Sequence, residues 1–100
     1  MTTPFALLAR LEAKPEKAAE VAAFLKSALS LAEAEADTVL WFALQLGPTT
    51  FGIFDTFAHE DGRNAHLAGK IAAALMEHAP DLLAQPPQIE KVDILAAKTY

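Results

Sequence analysis

The chain contains no cysteine. Disulfides, thiolate nucleophiles and cysteine-ligated zinc or iron–sulfur centres are therefore excluded. Positive charge is also sparse, with eight Lys and Arg against thirteen Asp and Glu for a formal charge of -5. The basic residues are scattered rather than clustered, so nothing resembles the electrostatic footprint of a phosphate-backbone binder, and nucleic acid is not an expected partner. Only four glycines occur, dispersed along the chain, and they form no phosphate-cradling loop. No apolar run approaches the roughly 18 residues of a membrane span. The start, Met1-Thr2-Thr3-Pro4, lacks a basic segment and leads into an apolar run too short for a secretory signal core, so the expected location is cytoplasmic and no membrane partner is expected.

What the chain has in quantity is apolar side chains, at 53% of 100 residues. That length fits one domain, expected to span residues 1–100 and to bury roughly two thirds of its unfolded surface. Four short runs, Phe5 to Leu11, Val39 to Leu46, Thr50 to Phe57 and Ile89 to Ala97, read as strands because they are brief and rich in β-branched or aromatic residues. Gly47-Pro48-Thr49 marks a hairpin between the second and third. Lys14-Pro15-Glu16 reads as a helix start. Ala18, Val21, Ala22, Leu25, Ala28, Leu29 and Ala32 then recur on one helical stripe. A second helix follows His59-Glu60-Asp61-Gly62, with Ala65, Ala68, Ile71, Ala72, Leu75, Met76 and Ala79 as its stripe and a break expected at Pro80. The order strand, helix, strand, strand, helix, strand predicts an α+β ferredoxin-like βαββαβ sheet with both helices on one face and the first and third strands central.

The strands carry apolar residues on both sides. In the second, Val39, Trp41 and Ala43 share one face while Leu40, Phe42 and Leu44 share the other. Two helices can dry only one face of such a sheet, so a homodimer is expected, with a second copy of the sheet closing a barrel. The carboxy-terminal stretch through Tyr100 could reach across to the partner.

The chain resembles the antibiotic biosynthesis monooxygenase domain family over nearly its whole length. The residues that carry the resemblance are the Lys14-Pro15 helix start, the acidic cluster Glu35-Ala36-Asp37 before the second strand, and Asn64-Ala65-His66-Leu67 soon after the third strand. One departure stands out: where members usually carry Glu, any residue, Trp near the end of the third strand, this chain reads Asp55-Thr56-Phe57. The resemblance implies a dimeric α+β barrel that oxygenates an electron-rich aromatic, such as an anthrone, naphthol or quinol, without metal or flavin. Such a substrate, once deprotonated, can itself give an electron to oxygen, so an apolar cleft between sheet and helices with one base would suffice.

His66 is the expected catalytic base, since its ordinary pKa lies near neutrality and the motif places it by the cleft. Asp55 would orient a donor. Trp41, Phe42, Phe54 and Phe57 would wall the ring, with Asn64 from the same motif beside them. Each has a plainer competitor. On a continuous second helix His66 would point away from the apolar stripe to the surface, unless Gly69 bends the helix. The aromatics could be core or interface residues, and Asp55 a structural hydrogen-bond partner. No metal is expected, because His59, His66 and His78 lack a helical ligand spacing, and Ser27 and Ser30 lack a nucleophile's sharp turn. Two other readings remain open. One is a non-enzymatic dimer that binds a small apolar ligand or merely assembles. The other is a haem-binding relative, disfavoured because Ala9 and His66 occupy the positions where such relatives resemble one another through Asn and Trp.

Overall fold

The alternating patterns become strands where a neighbouring strand is available to pair them. In the computed structural model, which describes residues 4–99, β1 (Phe5–Glu12) leads through a 3-10 turn (Pro15–Lys17) into α1 (Ala18–Ser27) and α2 (Leu29–Glu33). The hairpin of β2 (Thr38–Gln45) and β3 (Thr50–Phe57) follows, then α3 (Glu60–Leu67), α4 (Lys70–Leu82) and β4 (Gln88–Asp93). The sheet order is β2-β3-β1-β4 with antiparallel neighbours, so the first and third strands are central as expected. Met1 to Thr3, and the reach of Tyr100 towards a partner, lie outside the described residues. No helix among the described residues is long and apolar enough to cross a membrane.

Register decides which side chains meet the helices. Leu7 pairs with Asp55, Ala9 with Ile53 and Leu11 with Phe51. Ala9, Leu11, Phe51 and Ile53 form the core with Val21 and Leu25 of α1 and Leu75, Ala79 and Leu82 of α4. On the opposite face, Phe42 pairs with Phe54 and Leu40 with Thr56. No helix among the described residues covers that side, and Leu40 and Phe42 are 37% and 47% exposed.

Three local features differ from the sequence expectation. The second helix is not continuous. It stops at Leu67 and restarts at Lys70, where Gly69 takes the N-cap position with extended backbone. Pro80, expected to break the helix, lies inside α4, which runs on to Leu82. A proline this close to the end removes a single backbone donor, Leu83 N–H still bonds the Ala79 carbonyl, and the buried Leu82 anchors the last turn in the core. Finally β4 ends at Asp93 rather than Ala97. Its partner β1 starts at Phe5, opposite Asp93, so beyond the Ile94 N–H bond to the Pro4 carbonyl there is no strand left to pair.

Candidate functional site

The break at Gly69 determines where His66 points. Because α3 is a separate two-turn helix, its last turn delivers His66 inward between β3 and the segment that follows α2. Asp55 reaches it from β3, on the same face as Ile53 and Phe51. Glu35 reaches it from the turn after Ala34, the residue that caps α2. Gly62 lets α3 lie against that turn, since a Cβ there would stand 3.0 Å from the Asp37 Cβ.

The result is an imidazole held at both nitrogens. Nδ1 lies 2.6 Å from Glu35 Oε1 and Nε2 lies 2.8 Å from Asp55 Oδ2. The His66 side chain is 9% exposed and that of Asp55 2%, whereas Glu35 keeps 21%. Ionised carboxylates only accept, so both ring nitrogens donate when the ring is imidazolium. Loss of either proton turns a lone pair toward a carboxylate. Burial pulls the His66 pKa down, but the hydrogen bonds and charges of Asp55 and Glu35 outweigh it, and the net shift is upward from the ordinary 6.5. The Thr38 hydroxyl donates to Glu35 Oε1 at 2.7 Å, and the Phe57 ring lies tilted against the imidazole at 5.4 Å between centroids.

Two cavities meet this array from opposite sides. A pocket of about 340 Å³ opens between the turn after α2 and the α3–α4 junction, with Leu31, Glu35, Thr38, Ala65, His66 and Lys70 on its wall. The cleft between sheet and helices holds only about 30 Å³, bounded by Leu7, Ile53, Asp55, His66 and Leu75. The ligand-sized space beside His66 therefore lies outside the sheet-to-helix cleft where the sequence places it; core side chains fill that cleft.

Of the six other expected residues the structure brings two, Asp55 and Phe57, against His66. Asp55 alone joins His66 directly. Phe57 packs against it, fully buried. Trp41 faces the helices and packs on the core. Phe42 and Phe54 stack on each other at 6.5 Å on the uncovered face, and a single ring-binding wall cannot include both faces of a sheet. Asn64 is exposed, its carbonyl oxygen accepting from Lys91 at 3.4 Å. Glu35, Thr38 and Gly69 were not among the expected site residues. The acidic cluster Glu35-Ala36-Asp37 was the available signal for the first of them. Among the described residues no group of three or more His, Asp or Glu could hold a metal ion. Trp41 Nε1 and Asp55 Oδ1, on register partners across the β2–β3 hairpin, are buried without a hydrogen-bond partner.

The fold is that of the antibiotic biosynthesis monooxygenases. A protein described provisionally as one, from Nitrosomonas europaea, superposes with a TM-score of 0.81 at 14% identity, over 95% of this chain and 93% of that one. Another so described, from Caulobacter crescentus, gives 0.76 at 19% identity, again over 95% and 93% of the two chains. At such identities the likeness is one of fold. A much nearer relative is a protein of unknown function from Nitrosomonas europaea, 61% identical over 99% of this chain and 96% of that one, with a TM-score of 0.95. The chain belongs to the family of that protein. No protein-family profile matches the chain, and no curated protein does.

Proposed function

We propose that the protein is a cofactor-independent monooxygenase for a small electron-rich aromatic of the anthrone, naphthol or quinol type, bound in the pocket of about 340 Å³ beside His66. The observation that carries the reading is the His66 ring, held between two carboxylates on the wall of that pocket. Two carboxylates about one ring leave the array able to take a substrate proton at the pocket wall, and their pull is what raises the pKa of the ring. A deprotonated anthrone then reduces dioxygen itself. Its ring CH2 becomes C=O with one oxygen atom, the second leaves as water with the two hydrogens, and the four electrons lost by carbon are those dioxygen gains. The fold shared with provisionally described monooxygenases supports this chemistry.

The test is oxygen uptake with a panel of anthrones, naphthols and quinols. The expected result is protein-dependent consumption of one O2 per anthrone, with at least a hundredfold loss in His66→Gln. No uptake above the buffer rate, or equal rates in the variant, would overturn it.

We also infer a homodimer through the uncovered sheet face, supported by the exposed Leu40 and Phe42 beside Phe54. Sedimentation giving a monomer mass at micromolar concentration would contradict it. A second reading, a non-enzymatic dimer that binds a small ligand or only assembles, draws support from the filled sheet-to-helix cleft. It predicts ligand binding, or dimerisation alone, without oxygen uptake.

A further inference from the structure

We infer that Glu35, rather than His66, is the residue that touches a bound hydroxyl-bearing aromatic, with Oε2 accepting the hydrogen of the ligand's hydroxyl. Both His66 nitrogens are already engaged, at 2.6 Å by Glu35 and 2.8 Å by Asp55, so neither is free to meet a ligand. Asp55 is 1% exposed and does not reach the pocket wall. Glu35 does, and its two oxygens have different tasks. Oε1 accepts from His66 Nδ1 and from the Thr38 hydroxyl, which fixes the carboxylate in place. Oε2 accepts no hydrogen bond among the described residues.

Gly69 keeps that second oxygen open. A Cβ at this position would stand 3.2 Å from Oε2 and 3.2 Å from the His66 carbonyl, so any side chain there would crowd the carboxylate. The same wall sets the ligand's charge. Glu35 and Asp37 line the pocket with Lys70 and the His66 ring, and Asp55 behind the ring offsets its charge. A carboxylate or phosphate placed against Oε2 would meet a like charge there, whereas a neutral hydroxyl on a flat ring satisfies Oε2 as a donor. His66 then acts through Glu35 as a positioning residue, and Asp55 acts through His66.

The contact can be tested without turnover, using 2-naphthol as the probe. On excitation this naphthol becomes strongly acidic and transfers its proton to an acceptor in hydrogen-bond contact, so naphtholate emission from the bound population reports the neighbour. The experiment uses protein excess, excitation beyond the Trp41 absorption, and anisotropy to select bound probe. Wild-type protein should show naphtholate emission. Glu35→Gln, which keeps the shape and still accepts from Thr38 and His66, should lower the naphtholate-to-naphthol ratio at least tenfold while the dissociation constant stays within threefold. His66→Gln should retain most of the emission. Retention in Glu35→Gln, loss confined to His66→Gln, or no binding of 2-naphthol at millimolar concentration would each overturn the inference.

The catalytic half rests on the oxygenase reading: Glu35→Gln should cut kcat for anthrone, whose enol tautomer presents the hydroxyl to Oε2 and gives the reactive anion on losing its proton, about a hundredfold with KM within threefold. Normal turnover in that variant overturns Glu35 as the acceptor. If wild-type protein takes up no oxygen while the naphthol emission behaves as expected, the oxygenase reading fails and the Glu35 contact stands.

Discussion

The two cavities that flank His66 have opposite characters. The one on the sheet side is a nearly filled core, about 30 Å³ among Leu7, Ile53 and Leu75, and the one on the helix-junction side is about ten times larger, with Glu35, Thr38 and Lys70 on its wall. A single imidazole joins them, fully engaged on both sides. The difference gives one polar group two settings, a dry one and a solvated one. Towards Asp55 the ring neutralises a charge that burial would otherwise penalise heavily. Towards Glu35 it orients a carboxylate that still meets solvent.

This contrast can be broken from either side. The largest effect is expected on the sheet side: His66→Ala leaves Asp55 buried without its partner and should cost about 3 to 5 kcal/mol. A calorimetric scan should show Tm falling by roughly 12 °C or more. An unchanged Tm would mean that Asp55 finds water or another donor. The next effect is pH-dependent. Because the folded-state pKa of His66 is raised above 6.5, its contribution is fully present below that value and is lost as pH rises through the folded pKa. Urea unfolding should therefore show lower stability at pH 9 than at pH 6, with a smaller difference in His66→Gln.

On the pocket side the stability effects shrink. Glu35→Gln keeps both hydrogen-bond partners and a fifth of the side chain is exposed, so a loss of only about 1 kcal/mol is expected from denaturant midpoints. A loss as large as that of His66→Ala would mean that both sides of the ring are equally structural. The smallest effect on the folded subunit is expected far from either cavity. Phe42→Glu, on the uncovered sheet face, should halve the mass seen by sedimentation while the far-UV spectrum stays the same.

Much of the architecture is legible in the residue order, and the reasons are local. Within β2 successive side chains fall on opposite faces once the register shift between Thr38 and Leu40 is passed, and the structure places Trp41 towards the helices and Phe42 away from them, as strand geometry requires. The helix start at Pro15 and the hairpin at Gly47-Pro48-Thr49 likewise follow from the conformations those residues favour. The site is much less legible. Glu35 and His66 are 31 residues apart and meet only because α3 folds back across the turn after α2. No spacing rule announces such a contact. Ala65 to Ala79 reads as one stripe, since apolar periodicity carries smoothly across Gly69, yet the helix breaks there and the break turns His66 inward. Phe42 and Phe54 have the right chemistry for a ring-binding wall, but strand parity puts them on the other face.

The central claim, that His66 has a raised pKa below which it donates from both nitrogens to Glu35 and Asp55, is tested most directly by 15N NMR of the histidine side chains across a pH titration. The His66 ring, assigned by its loss in His66→Gln, should titrate above 6.5 with both nitrogens protonated below that point, and this resonance pattern should disappear in Asp55→Asn. A His66 ring that is a neutral tautomer at pH 6.5, or that titrates below it, would contradict the account.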